Sequence, residues 1–305
     1  MARPAPGADR SVAVLELLAG HPDERFTLSE VARRCDLNKA TAHALLTALT
    51  DRGVLLRHPE EKRYSLGPRL VAIGDAARRG YAAADFVPPV LAGLAADTGL
   101  WARAWRLASD HVISVAQAGA PRHLATGSPV RLPLVPPIGA VFMAWADELT
   151  AEAWLARAGS VEAVRPALDA LPAIRRQGFS VTRDSPEWRA LTGSVRPVGP
   201  GAAAVDSDPE VRRSLIAAIS RQSLAHPALD ATRSYRPAEI EAPVFDARGK
   251  VDLVVALTCP VGSELPGDRV IALARGVVTA ADGLTDAVRG RRPGPAFEAI
   301  GHGAT

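Results

Sequence analysis

The stretch "TLSEVARRCDLNKATAHALLTALTDRG", residues 27–53, admits few shapes. Thr27 stands three residues before Glu30, the spacing at which each side chain satisfies an orphan backbone N–H of the other at the start of a helix. Leu28, Val31, Ala32 and Cys35 then recur at i, i+3, i+4 and i+7, one apolar face of a helix. Residues 36–38 form the turn, with Asn38 as the cap of a second helix. Ala42, Leu45, Leu46 and Leu49 repeat the same face, and Gly53 sits where a helix commonly ends in a left-handed residue. Upstream, Val14, Leu17 and Leu18 predict a helix over 9–19 that Gly20 and Pro22 stop. Two short amphipathic helices joined by a tight turn have helix-turn-helix spacing, although an ordinary helical hairpin has the same periodicity.

The adjoining segment separates the two. "VLLRHPEEKRYSLG" reads as strand, charged turn and strand, with Arg57, His58, Lys62 and Arg63 between Leu55 and the run from Tyr64 to Leu66. A basic hairpin beside such a helix pair is a wing, able to reach phosphates while the second helix reads base edges. The charge agrees: residues 1–80 hold 13 basic and 10 acidic side chains, and the remainder holds 23 of each. The whole net charge of +3 therefore lies at the N-terminus, which favours an anionic partner there.

Residues 11–67 resemble the N-terminal domain of the IclR family of transcriptional regulators, whose usual run is similar to "LSELARxxGLPKSTAHRLLxTLxxxGYLxxxxxxxYxLG". Here it stands as "LSEVARRCDLNKATAHALLTALTDRGVLLRHPEEKRYSLG". The resemblance implies DNA binding, with Asn38, Lys39, Thr41, His43, Thr47, Arg57, Lys62 and Arg63 as contact candidates. Turning the Ala42, Leu45, Leu46 and Leu49 face inward points Ala40, His43, Ala44 and Thr47 outward, at 100° per residue. The family often carries Ser and Arg where this chain has Ala40 and Ala44, so recognition should rest on the remaining polar groups, with the alanines free to meet thymine methyls.

"GPRLVAIGDAARRGYAAADFVPPVLAGLAADTG" predicts two helices, 68–79 and 85–97. The resemblance makes the first a linker helix that contributes to dimer contacts. After Gly99 the pattern turns to short apolar runs with turns near 108–110 and 246–250, mixed with helices over 139–157 and 268–289. This predicts an α+β domain around an antiparallel sheet. "EAPVFDARGKVDLVVALTCP" resembles the GAF-like effector domain of the same family, and "RLPLVPPIGAVFMAW" resembles the segment bordering its ligand pocket. Carried over, the resemblance implies a pocket lined by Leu134, Val135, Ile138, Gly139 and Met143 and by the strand ending at Thr258. The family's two strand serines correspond to Ala256 and Thr258, and its lysine after the glycine to Ala140. One hydroxyl thus remains, and the expectation is a more apolar pocket whose effector is aromatic or larger than a small acid.

The expected organisation is a winged helix-turn-helix over 1–67, linker helices over 68–98, an effector domain over 99–290 and a flexible tail over 291–305. An insertion relative to the family, about 185–240, contains a helical pattern at Val211, Leu215, Ile216 and Ile219. It is either surface elaboration or a lid that brings Trp188 or Tyr235 to the ligand. Arg175 and Arg176 read as a solvated helix end, or as cations near a pocket that could hold an acidic effector.

Other functions have weaker signals. Cys35 and Cys259 are too few for a disulfide framework or a thiolate metal site, and Cys259 reads as a small buried residue. His111, His123 and Cys259 lack metal-ligand spacing, and no nucleophile-elbow, phosphate-loop or dinucleotide-binding glycine pattern occurs. No apolar stretch is long enough to span a membrane, and the N-terminus lacks a signal-peptide pattern. The expected protein is a cytoplasmic, non-catalytic homodimer or dimer of dimers that needs no cofactor and binds a double-stranded operator and a small-molecule effector. The alternative is a metabolic enzyme or ligand-binding protein that uses its N-terminal unit only to oligomerise.

Overall fold

The structure is a computed structural model that describes residues 5–79, 83–119, 131–158, 161–186, 224–225 and 229–293. The N-terminal unit runs α1 (Pro6–Ala19), β1 (Phe26–Thr27), α2 (Leu28–Arg34), α3 (Lys39–Asp51), β2 (Leu55–Arg57) and β3 (Arg63–Leu66). Pro6 lies in the first turn of α1, where its missing N–H leaves nothing unsatisfied, so the helix starts three residues before the expected 9. The capping box at the start of α2 is formed: Glu30 N donates to Thr27 Oγ1 at 3.3 Å, and Thr27 N donates to Glu30 Oε2 at 2.7 Å. Asn38 caps α3 through Oδ1, which accepts from Thr41 N at 2.8 Å. Gly53, at φ +68°, turns the chain into the wing.

These elements close over one core. Val14, Leu17 and Leu18 of α1 meet Val31, Leu46, Leu55, Tyr64 and Phe26. Phe26 owes its place to β1, which the periodic reading passed over. This two-residue strand pairs Phe26 with Tyr64 and Thr27 with Arg63, completing a three-stranded sheet of order β1-β3-β2.

Helices α4 (Arg69–Arg79) and α5 (Val87–Thr98) come next, near their expected positions. The second unit is built on seven antiparallel strands in the order β6-β5-β4-β11-β10-β7-β8. They are β4 (Trp101–Ala108), β5 (His111–Ala118), β6 (Arg131–Pro133), β7 (Ser180–Arg183), β8 (Leu224–Ala225), β10 (Pro237–Phe245) and β11 (Val251–Thr258). A small ribbon pairs β9 (Ser234–Tyr235) with β12 (Leu265–Pro266).

Because side chains alternate along a strand, the sheet has two different faces. One packs on α5 and on α9 (Gly267–Ala287), whose Val270, Leu273, Val277 and Leu284 recur at helical spacing against Leu253, Val255 and Leu257. The other is covered by α6 (Ala140–Met143), α7 (Glu148–Leu155) and α8 (Val161–Gln177). The helix expected over 139–157 is therefore two. Asp147 interrupts it by capping α7, its Oδ1 accepting from Thr150 N at 2.9 Å.

Inside the segment expected as an insertion, about 185–240, the sheet takes up β8 at Leu224–Ala225 and β10 from Pro237. His123, Trp188, the helical pattern at 211–219 and most of the tail lie outside the described residues.

Candidate functional site

The N-terminal unit offers one exposed helix face. On α3, Ala42 and Leu46 are buried, while Lys39, Ala40, His43, Ala44 and Thr47 are exposed, so the apolar register turns these residues to solvent together. Asn38 is exposed but uses its Oδ1 as the cap, and Thr41 supplies the N–H that the cap accepts. At the wing, Arg57 is exposed with its guanidinium 5.6 Å from the Tyr64 ring centre, and Lys62 sits at the tip and donates to the Pro59 carbonyl. Arg63 turns back instead: it donates to the Arg25 carbonyl at 2.8 Å and to Glu30 Oε2 at 3.4 Å, tying β3 to the capping box of α2. The Glu30 carboxyl is held below its ordinary range, first by the Thr27 backbone N–H. Six of the eight DNA-contact candidates thus present exposed side chains, whereas Thr41 and Arg63 are half-buried.

The second candidate lies on the covered face of the seven-stranded sheet, where a pocket has about 440 Å³ of non-atom space including its open mouth. Its walls are apolar on the helix side, with Ile138, Val141 and Phe142, and on β5 and β6, with Val112 and Leu132. Gly139 also lines it at φ +85°, where an added Cβ would fall 2.3 Å from Leu134 Cδ1. Trp154 fixes this wall by donating from Nε1 to the Ile138 carbonyl at 2.9 Å. Of the residues carried over from the resemblance, Ile138 and Gly139 line the pocket, while Leu134, Val135 and Met143 are buried in the core beside it.

The floor is polar, and strand register explains it. Glu239 pairs with Thr258 on β11 and with Thr182 on β7, while Glu241 pairs with Ala256 and with Ser180. Ala256 and Thr258 in turn pair with Arg103 and Trp101 of β4. Two neighbouring rows therefore carry the polar side chains to one face. Arg103 reaches diagonally past the small Ala256 and donates to Glu239 Oε1 at 2.8 Å, both side chains being almost fully buried. Its guanidinium lies between the rings of Trp101 and Trp105, at 4.4 and 4.5 Å from their centres. Trp105 Nε1 and Thr258 Oγ1 donate to the same Oε1 at 3.3 and 3.4 Å. The single strand hydroxyl left from the resembled pair is thus engaged within the protein.

Glu241 accepts from Ser180 Oγ at 3.1 Å. Enclosure by protein and the adjacent Glu239 charge push its carboxyl up to about 8. Neither glutamate, nor Arg103 or the flanking tryptophans, stood out in sequence. The available signal was the alternation in "PAEIEAPVF" and "WARAWR", which sets acids on one strand and a base on another to the same face.

Cys259 and His111 sit in separate surroundings. Cys259 is buried on the α9 side, its thiol raised to about 12 by burial and then by the Glu239 charge. His111 Nδ1 lies 2.5 Å from Asp110 Oδ1 and 2.9 Å from an Arg131 nitrogen. Among the described residues no group of three metal-ligating side chains occurs, and no helix is long and apolar enough to cross a membrane. Tyr235 packs against the α9 layer and accepts a hydrogen bond from Asp230 N, away from the pocket. Arg175 and Arg176 are exposed in the last turn of α8, and Arg175 also donates to the Ala144 carbonyl.

Comparison with known proteins places this architecture. Residues 7–59 match the IclR helix-turn-helix domain. The chain is 40% identical over 75 residues to the glycerol operon regulatory protein of Streptomyces griseus, a stretch covering 25% of this chain and 29% of that protein. It is 31% identical over 110 residues to the HTH-type transcriptional regulator BhcR of Paracoccus denitrificans, covering 36% and 39% respectively. The matches thus span 29% and 39% of these relatives' length. The fold is shared over far more. An IclR transcriptional regulator from Alicyclobacillus acidocaldarius superposes with a TM-score of 0.58 at 22% identity, over 94% of this chain and 100% of its own. An IclR homolog from Microbacterium hydrocarbonoxydans, complexed with 4-hydroxybenzoate, does so with a TM-score of 0.56 at 17% identity, over 93% and 99%.

Proposed function

With an IclR helix-turn-helix domain at residues 7–59 and the fold of IclR regulators over nearly the whole chain, we propose that this protein is a transcription regulator whose operator affinity answers to a small molecule bound in the C-terminal pocket. The observation that carries the reading is the exposed face of α3, with Lys39, His43 and Thr47 beside a basic wing on a capped, fully packed scaffold. An ordinary helical hairpin gains nothing from such a wing.

In this reading α3 enters the major groove. Lys39 at its N-terminal end meets phosphate, His43 and Thr47 meet base edges, and Ala40 and Ala44 lie against thymine methyls. Arg57 and Lys62 hold the flanking backbone through the wing, while Asn38 and Thr41 shape the helix start and offer their remaining polar atoms to the duplex. Arg63 acts mainly as a brace, because its guanidinium already binds Arg25 and Glu30. Helix α4 supports a homodimer: residues 71–77 are all exposed, and they include the apolar Val71 and Ile73 at 66% and 51%, so the helix carries apolar side chains that a second subunit would cover. Two α3 helices would then meet half-sites about one helical turn, or a multiple of it, apart.

The pocket in the second unit supports effector control, as does the ligand held by the Microbacterium homolog of the same fold. A ligand preferring one arrangement of the two units shifts their populations, and with them DNA affinity, by its differential affinity for the arrangements. The test is selection of duplexes from a random pool by the purified full chain. A dimeric regulator enriches a two-fold symmetric sequence. Recovery of unselected sequence would remove the operator reading and leave an N-terminal unit that serves only oligomerisation.

A further inference from the structure

The class of ligand can be narrowed from the floor of the pocket, on the premise that this pocket is the effector site. All three hydrogen bonds to Glu239 converge on Oε1. Its Oε2 has no partner among the described residues, although the residue is only 2% exposed and lines the pocket. Glu241 uses Oε2 to accept from Ser180, and its Oε1 likewise has no partner among the described residues. Two carboxylate oxygens from side chains two residues apart on one strand face therefore open into one pocket.

A buried acceptor left unpaired is costly, and a buried carboxylate more so. The protein supplies one guanidinium, Arg103, whose Nη2 binds Glu239 while its buried Nε has no partner among the described residues, and which is held between Trp101 and Trp105. The other groups facing the pair are the Ser180 hydroxyl and Thr182 on β7 and Thr258 on β11. On the opposite wall Pro137, Ile138, Gly139, Val141 and Phe142 carry no ionisable side chain. The floor is thus one positive charge short of two ionised carboxylates, and it faces apolar walls.

We propose that the pocket receives a protonated amine on an apolar body, the ammonium donating to the open oxygens of Glu239 and Glu241 and the body lying against Trp105 and Phe142. An organic acid is disfavoured once both glutamates are ionised, because its carboxylate would meet two like charges and no cation among the described lining groups. The raised Glu241 carboxyl adds a proton competitor. Below about pH 8 the pocket holds a proton that the cation must displace, so amine affinity rises with pH until Glu241 is ionised.

The experiment is calorimetric titration of the full chain with three phenethyl compounds and three butyl compounds, each set an amine, an alcohol and a carboxylate on the same body. At pH 8.5 the amine of at least one set binds tenfold or more tighter than its alcohol and carboxylate. The advantage shrinks by about tenfold at pH 6.5, as proton competition requires. It disappears in Glu241→Gln, whose own unfolding curve confirms that the variant is folded. A carboxylate that outbinds its amine in the wild-type chain overturns the assignment of charge while leaving the effector pocket in place. Absence of binding by all six compounds overturns both. The comparison within the wild-type chain is decisive even if the variant does not fold.

Discussion

Helix α3 and the floor of the pocket are the two surfaces proposed to meet other molecules, and they are built in opposite ways. The outer face of α3 is sparse in polar groups and fully wet, with Lys39, His43 and Thr47 set among alanines over an apolar core. The pocket floor is crowded with polar groups and nearly dry, with Arg103, Glu239 and Glu241 set among tryptophans. The contrast arises from what each must hold. A duplex brings its own regular charge to an exposed helix, so few protein charges suffice. A small molecule supplies a handful of contacts, so each must act in a low dielectric where an unpaired group is expensive. Changes on α3 should therefore alter binding and spare stability, whereas changes on the floor should alter both.

The largest expected effect is on the floor. Glu239→Ala strands the buried Arg103 charge and should lower unfolding free energy by about 3–5 kcal/mol in urea titration. A loss under about 1 kcal/mol would mean that the floor is wetter than the contrast requires. Next is pH. The folded chain keeps the Glu241 proton up to about pH 8, whereas the unfolded chain releases it near the ordinary 4.5. The folded state thus binds more protons in that window, so this group makes stability fall as pH rises from about 4.5 to about 8. Thermal unfolding across that range should show a decline that is smaller in Glu241→Gln; identical profiles for the two proteins would detach it from Glu241.

Smaller effects belong to the N-terminal unit. Asn38→Ala removes the acceptor for Thr41 N and should cost about 1 kcal/mol, read from chemical unfolding of the full chain. Lys39→Ala, one residue further on, should change stability by less than about 0.5 kcal/mol while weakening binding on every duplex alike. If Lys39→Ala proved more destabilising than Asn38→Ala, the outer face of α3 would be part of the scaffold and the contrast would collapse.

The two surfaces also differ in how far they can be read from sequence. Every signal for α3 is local: the Thr27–Glu30 box, the Asn38 cap, the leucine register and Gly53 all lie within 27 residues, and each is found in the structure. What sequence missed there was the inward turn of Arg63, which depends on a partner 33 residues away. The pocket floor is non-local throughout. Arg103 and Glu239 are 136 residues apart and meet only because β11 lies between β4 and β10 in a fixed register. Ala256 and Thr258 alone predict an apolar pocket, whereas the charges come from the neighbouring strands. Helix boundaries failed for a simpler reason: apolar periodicity runs on through 139–157, and only the Asp147 cap divides it.

The most direct test of the account is the salt dependence of binding to an enriched duplex. The logarithm of affinity should fall linearly and steeply with the logarithm of salt concentration for the wild-type chain, and the slope should flatten by about one unit in Lys39→Ala. A flat line for the wild-type chain would contradict the central claim, since α3 and the wing would then be making no phosphate contacts.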